Sequence, residues 1–126
     1  MVKKVKILVV DDAEVMRKEV VNILKDKYET FEAENGSQAL DQVKKVLPDL
    51  IILDLEMPVM GGFEFLDKCD EALETIPPVL ILTSISSKRK ETRKAGAQFY
   101  MDKPVNKDKL LTVIEHLLKA PSTRPE

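Results

Sequence analysis

Residues 6–12 read Lys6-Ile7-Leu8-Val9-Val10-Asp11-Asp12, an apolar run of strand length that ends in two carboxylates. A run this apolar is typical of a strand buried on both faces of a parallel sheet. Three further short runs of β type repeat the arrangement, because each is followed closely by a polar residue. These are Leu50 to Leu53 before Asp54, Val79 to Leu82 before Thr83-Ser84, and Gln98 to Met101 before Lys103-Pro104.

The polar residues that follow these runs predict one shared site. In an open parallel sheet, ligands bind outside the carboxyl ends of the strands. Unpaired carboxylates gathered there repel each other by roughly 1 to 4 kcal/mol per pair at about 4 Å, so a proton or a cation is expected among them. Oxygen ligands with room for water favour Mg²⁺. The predicted site comprises Asp11, Asp12, Asp54, Thr83 and Lys103.

Helical periodicity between the strands completes the fold prediction. Four stretches carry apolar residues at a spacing near 3.6, and a further β-type run lies at Thr30 to Ala33. Strands that alternate with helices indicate an α/β fold with a parallel sheet and right-handed crossovers. The helix markers are Val15, Met16, Val20, Ile23 and Leu24; Ala39, Leu40, Val43, Val46 and Leu47; Phe65, Leu66, Cys69 and Leu73; and Leu110, Val113, Ile114 and Leu117.

Three segments leave alternatives. Asn35-Gly36 could form a hairpin turn, but the helical spacing that follows favours the start of a helix. The segment Ser86 to Lys94 has no large apolar residue, so it is either a short solvated helix or a basic docking surface. The tail Ala120 to Glu126, with two prolines, is expected to be a disordered end or a truncated linker. The predicted domain is therefore 1–119.

The bulk composition excludes several classes of protein. A chain of 126 residues is enough for one domain with a real core. The formal charge of −2 gives no net attraction to nucleic acid or to a membrane surface. The single cysteine, Cys69, cannot form an internal disulfide, and the first apolar run is too short for a signal peptide or a membrane span. These features predict a cytoplasmic protein.

The predicted site could carry out phosphoryl transfer. A carboxylate can attack a phosphoryl group to give an aspartyl phosphate, and the transfer needs positioning and charge neutralisation above all. Each residue alone has another interpretation: Asp11 or Asp12 could cap a helix, Asp54 could be a turn residue, Thr83 could cap the next segment and Lys103 could be a solvated surface lysine. All four strand ends carry a residue suited to phosphoryl transfer, and this favours a shared site over four separate roles.

The chain resembles the response-regulator receiver domains of two-component signalling, in particular those like the chemotaxis regulators, from about Lys4 to Lys119. The resemblance implies a single flavodoxin-like domain with a five-stranded parallel sheet in the order 2-1-3-4-5 and helices on both faces. The polar segment Ser86 to Lys94 has little to bury, so a fourth helix there is expected to be short or irregular. The motifs that carry it are Val10-Asp11-Asp12, Leu53-Asp54-Leu55-Glu56-Met57-Pro58-Val59-Met60-Gly61-Gly62, Leu82-Thr83-Ser84, Gly96-Ala97 and Lys103-Pro104.

The resemblance also implies a role for each site residue. Asp54 would accept a phosphoryl group from a sensor histidine kinase or a histidine phosphotransfer protein, with Mg²⁺ as the cofactor. The metal would be held by Asp12, Asp54 and the backbone carbonyl of Glu56, with Asp11 acting through water. Lys103 would contact the phosphoryl oxygens, Thr83 would be the switch hydroxyl and Tyr100 the aromatic residue coupled to it. A cis bond before Pro104 is implied as well.

The implied output is a change in a binding surface. That surface would surround the predicted fourth helix, the fifth strand and the last helix. It would act on a downstream protein effector or a fused output domain, with no direct contact to nucleic acid or membrane. Such a domain is no enzyme beyond its own phosphoryl transfer and dephosphorylation.

Two departures from the family pattern concern the loops. Gly61 stands where an acidic or polar residue is common, which predicts a looser loop beside the site. Only 20 positions separate Thr83 from Lys103, about two fewer than the usual pattern, and the shortening falls in the basic segment.

Two other classes fit less well. A phosphatase of the haloacid-dehalogenase type needs a second aspartate two positions after its nucleophile, where this chain has Ala13 or Glu14. A flavodoxin-type cofactor carrier needs a loop that cradles phosphate after the first strand, and Asp11-Asp12 would repel that phosphate.

Overall fold

The computed structural model describes residues 4–55, 57, 59–83 and 98–119. Within these ranges the strands are β1 (Lys6–Val10), β2 (Glu29–Ala33), β3 (Leu50–Leu53), β4 (Val79–Thr83) and β5 (Phe99–Asp102), and the helices are α1 (Glu14–Leu24), α2 (Gly36–Val46), α3 (Gly62–Ala72) and α4 (Lys107–Lys119). The predictions for Glu56, for the segment Ser86 to Lys94 and for the tail Ala120 to Glu126 fall outside the described residues. None of the helices in these ranges combines the length and the apolar character that crossing a bilayer requires.

The five strands form one parallel sheet in the order β2-β1-β3-β4-β5, which confirms the predicted order. At its carboxyl edge, Val10 lies between Ala33 of β2 and Leu53 of β3. Thr83 pairs with Asp102 on the other side of the sheet centre. Because all strands run the same way, the carboxyl ends of β1, β3 and β4 meet at this one edge.

The sheet separates two hydrophobic cores, because side chains alternate between its faces. Ile52 faces α1 and α4, and its neighbour Ile51 faces α2 and α3. The first core also contains Leu24 and Ile114, and the second contains Phe65. The residues of β1, β3 and β4 are buried almost throughout, as expected for strands covered on both faces.

The helix starts settle two of the alternatives. The Oδ1 of Asn35 accepts a hydrogen bond from the Gln38 amide at 2.9 Å, so Asn35 caps α2 and no hairpin forms there. The residue in the capping position of α1 is Ala13, which has no side-chain cap. Asp11 instead accepts the Ala13 amide at 2.9 Å through its Oδ1.

Two apolar residues that served as helix markers lie in solvent: Val15 is within α1 as predicted, whereas Leu47 follows the end of α2. Val15 is 79% exposed and Leu47 is 68% exposed. Leu47 follows the last residue of α2 in the left-handed conformation, with φ of 55°, so it no longer shares the buried face of that helix. In α1 the buried face comprises Val20, Leu24 and, unexpectedly, Arg17.

Candidate functional site

Three carboxylates converge at the carboxyl edge of the sheet. Asp11, Asp12 and Asp54 each offer an oxygen, and these oxygens lie within 4.8 Å of one another. The Asp54 amide donates to the carbonyl of Val10 at 3.0 Å, which brings the end of β3 beside the end of β1. Asp11 and Asp54 are buried, and Asp12 is exposed. The cluster is therefore anchored in the protein and open to solvent on one side.

The Lys103 ammonium lies between two of these carboxylates. Its Nζ is 2.8 Å from Oδ2 of Asp11 and 3.6 Å from Oδ2 of Asp54. The Lys103 amide donates to the carbonyl of Thr83 at 3.0 Å, which ties it to the end of β4. The Lys103–Pro104 peptide bond is cis, as the resemblance implies.

Burial shifts the protonation equilibria of this site. Burial raises the pKa of the Asp54 carboxyl, and the nearby Asp11 charge adds to the increase, while the Lys103 charge opposes it; the pKa remains raised. Burial alone would lower the pKa of Lys103, but the hydrogen bond that Lys103 donates to Asp11 and the charge of Asp54 outweigh it and raise that pKa. Lys103 therefore keeps its positive charge, and the negative charge of ionised Asp54 is not fully compensated.

The Thr83 side chain is buried beside the same carboxylate. It is 1% exposed, and its Oγ1 has no hydrogen-bond partner of acceptable geometry within the described ranges. The hydroxyl is nevertheless close enough to Asp54 to lower the pKa of that carboxyl, although its effect is smaller than that of Lys103. Buried hydroxyls are nearly always paired, so this one is available for an oxygen that enters the site.

Tyr100 lies on the strand next to Thr83. It pairs with Ile81 in the ladder between β4 and β5, two positions before the pair formed by Thr83 and Asp102. Its ring is half-buried and packs against the core beneath α2 and α3. It is therefore close to Thr83 along the ladder while its side chain belongs to the core.

The sequence analysis did not predict the role of two glycines that hold the loop after Asp54. The Gly36 amide donates to the carbonyl of Met60 at 2.9 Å, and a Cβ at Gly36 would lie 2.6 Å from that oxygen. A Cβ at Gly62 would lie 2.7 Å from the carbonyl oxygen of Asp54. Both approaches are possible only for glycine.

The sequence analysis also missed Arg17 and Glu32, which form an ion pair at 2.9 Å beside the site. Helical spacing contains a signal for Arg17, because it lies three and seven positions before Val20 and Leu24 on the buried face. A charged residue in such a position needs a buried partner.

The donor set fits a divalent cation. Three ionised carboxylates and one ammonium leave two negative charges at the cluster. The donors are all oxygens, and the exposed Asp12 leaves room for water, which is the ligand environment Mg²⁺ prefers. Asp11, Asp12 and Asp54 are the described residues that would hold it.

Comparisons with known proteins agree on one family. A family model described as the response regulator receiver domain matches residues 7–115. A chemotaxis protein CheY from Halobacterium salinarum is 36% identical over 117 residues, which cover 90% of this chain and 97% of that protein. Histidine kinase P4 from Formosa agariphila is 39% identical over 120 residues, which cover 93% of this chain and 9% of that protein.

A solved structure gives the same result. The chemotaxis protein CheY4 of Vibrio cholerae superposes with a TM-score of 0.83 at 34% sequence identity, covering 91% of this chain and 99% of that one. The fold seen here is thus the fold of CheY-like proteins, and it occurs both in chains of this length and as a small part of a much longer protein.

Proposed function

Because the chain belongs to the response-regulator receiver domain family of two-component signalling, we propose that it is a phosphoacceptor switch whose Asp54 takes a phosphoryl group from a histidine. The donor would be a sensor histidine kinase or a histidine phosphotransfer protein. The single observation that supports this most is the environment of Asp54. A buried carboxylate faces a half-buried ammonium and a buried hydroxyl that has no partner within the described ranges.

The contacts of Asp54 favour one oxygen as the nucleophile. Oδ1 accepts the Leu55 amide at 2.9 Å, so its lone pairs are partly engaged. Oδ2 faces Lys103 at 3.6 Å, too far for a hydrogen bond but close enough for the ammonium to neutralise charge on an incoming group. Attack by Oδ2 forms the oxygen–phosphorus bond, and the bond between phosphorus and the donor nitrogen breaks as the imidazole leaves.

The neighbouring groups would stabilise the product. Lys103 would pair with the phosphoryl oxygens, and Thr83 would donate its hydrogen bond to one of them. A Mg²⁺ held by Asp11, Asp12 and Asp54 would supply the charge that lets a dianionic donor approach. The backbone carbonyl of Glu56, outside the described residues, would complete that set.

The same contacts would convert phosphorylation into a signal. Movement of Thr83 toward the phosphoryl group would change the packing of Tyr100 on the adjacent strand. The affected surface would involve β5, α4 and the segment between β4 and β5. The partner that recognises it would be a downstream effector or a domain fused to this one, and the domain would catalyse only its own phosphoryl transfer and dephosphorylation.

The proposal is tested by phosphorylation with a small donor such as acetyl phosphate in the presence of Mg²⁺. We expect one phosphoryl group per chain by intact mass, and none in Asp54→Asn. Asp41→Asn, which changes an exposed aspartate of α2, is the matched control and should incorporate normally. Full incorporation in Asp54→Asn, or turnover of many equivalents of donor, would contradict the assignment.

Metal dependence is a separate expectation. Excess chelator should abolish incorporation, because the three carboxylates would otherwise repel the donor. Asp12→Ala should weaken Mg²⁺ binding, measured by calorimetry, while leaving the fold intact because Asp12 is exposed. Incorporation that continues unchanged in chelator would remove the cation from the mechanism.

A further inference from the structure

A charged side chain occupies the buried face of α1. Arg17 is 9% exposed and lies on the same face as Val20 and Leu24, which pack into the core. An apolar residue would fill this position at no cost in desolvation, whereas a guanidinium must find partners for its charge and its donors. The contacts of Arg17 therefore indicate why a charged side chain occupies this position.

The guanidinium joins three elements of the fold. Its Nη1 donates to the backbone carbonyl of Asp11 at 2.8 Å, just beyond β1. Its Nε donates to Oε1 of Glu32 on β2 at 2.9 Å. Lys18 in turn donates to the other oxygen of Glu32 at 2.9 Å. The rigid fork of an arginine suits such a double contact, because it fixes the directions of both hydrogen bonds.

The contact with Asp11 completes the fixation of that residue. The Asp11 amide donates to the carbonyl of Ala33 at 3.1 Å. Its Oδ1 accepts the Ala13 amide, and its Oδ2 lies 2.8 Å from Lys103. With Arg17 on the carbonyl, every polar atom of Asp11 is engaged. The carbonyl belongs to the peptide that leads into Asp12, so its orientation also affects the second carboxylate.

We propose that Arg17 is a positioning residue for the acidic site: it holds the Asp11–Asp12 peptide so that both carboxylates point at the cation, and Glu32 holds Arg17 in place. The contacts of the Arg17 guanidinium are with Asp11 and Glu32, so Arg17 would act on the cation only through Asp11. The inference rests on the proposed function to the extent that Asp11 and Asp12 are taken as the residues that hold Mg²⁺.

The test measures Mg²⁺ affinity of the full chain by calorimetry, with no phosphodonor present. In Arg17→Met we expect the dissociation constant to rise by about tenfold or more, as is usual when a group that orients a metal ligand is removed. Arg17→Lys should fall between Arg17→Met and the unaltered chain, since a lysine retains the charge but cannot contact both partners.

The matched control is Val20→Ala, which alters the same face of α1 one turn further along. It should lower the melting temperature and leave Mg²⁺ affinity unchanged. Equal affinity in Arg17→Met and the unaltered chain, or an equal loss in Arg17→Met and Val20→Ala, would overturn the proposal and leave Arg17 a structural residue. If Arg17→Met does not fold, Glu32→Gln replaces it and should weaken Mg²⁺ binding in the same direction.

A kinetic measurement separates this inference from the proposed function. With a small phosphodonor, Arg17→Met should need a higher Mg²⁺ concentration for half-maximal rate and should approach the normal rate at saturation. Normal phosphorylation of the unaltered chain together with an unchanged Mg²⁺ requirement in Arg17→Met would overturn only the role of Arg17. Absence of phosphorylation in the unaltered chain, with intact Mg²⁺ binding, would overturn the proposed function and leave the calorimetric comparison valid.

Discussion

The negative charge of the buried Asp54 carboxylate destabilises the fold. The carboxyl is 7% exposed, and its pKa is raised by burial and by Asp11 against the opposing charge of Lys103. A group whose pKa is higher in the folded chain stabilises the fold fully below its unfolded pKa, and this contribution is lost as the pH rises through the folded value. At neutral pH, ionised Asp54 therefore lowers the free energy of unfolding.

Asp54→Asn should accordingly stabilise the protein. The amide keeps the shape of the side chain without the charge, and Lys103 retains its closer partner, Asp11, at 2.8 Å. Without Mg²⁺ at neutral pH we expect a gain of roughly 1 kcal/mol, seen as a rise of a few degrees in Tm. The gain should shrink as the pH falls through the raised pKa of folded Asp54, and it should be lost below about 3.9, the unfolded pKa of aspartate. A lower Tm in Asp54→Asn at neutral pH would contradict this account.

At the scale of elements, the junction between β2 and α2 holds the loop between β3 and α3. Gly36, the first residue of α2, donates its amide to Met60, and a Cβ there would lie 2.6 Å from the Met60 oxygen. The loop thus has a backbone hydrogen bond to α2 as well as one to α3, whose Gly62 amide donates to the Leu55 carbonyl at 3.0 Å. Its shape, and with it the surroundings of Asp54, depends on how closely α2 can approach.

Gly36→Ala should therefore destabilise the protein, by about 1 to 3 kcal/mol, as overpacked sites usually do. Gly61→Ala is the matched control, because a Cβ there would be 3.3 Å from the Leu55 oxygen and φ is −75°, which suits alanine. It should change stability by less than about 1 kcal/mol. Urea denaturation measures the stability of both variants. Equal midpoints would contradict this account, because they would show that Met60 can move away from the added methyl group at little cost.

The regular elements could be predicted from the sequence because their signals are local. The boundaries differ by a residue: β4 ends at Thr83 and β5 at Asp102, one position beyond each apolar run, since the ladder pairs backbones whatever the side chains are. Leu47 departs from its stripe because α2 ends before it.

The convergence of the site carboxylates followed from topology, which the alternation of strands and helices predicts. The supporting contacts could not be predicted in this way. Arg17 is buried because of Glu32, 15 positions away and on another strand, and Gly36 is required by Met60 on a distant loop. Such pairs have no spacing rule in the sequence, so they become visible only in the folded chain.

For the whole molecule, the sheet divides the two tyrosines between the two cores. Tyr28 is 8% exposed and packs with α1 and α4, whereas Tyr100 packs against the core beneath α2 and α3. The chain has no tryptophan, so these two rings dominate its intrinsic fluorescence. Removing one tyrosine leaves a probe for a single side of the sheet.

This separation allows a direct test of the switch proposed for Thr83 and Tyr100. In Tyr28→Phe, phosphorylation should change the emission of Tyr100, because the ring repacks as Thr83 engages the phosphoryl group. In Tyr100→Phe, the emission of Tyr28 should stay constant, since its core lies on the other face of the sheet. Adding Thr83→Ala to Tyr28→Phe should leave phosphoryl incorporation detectable by mass and remove the change in emission. A full response of Tyr100 without the Thr83 hydroxyl would show that the signal reaches β5 by another route, because no other part of that variant differs from its parent.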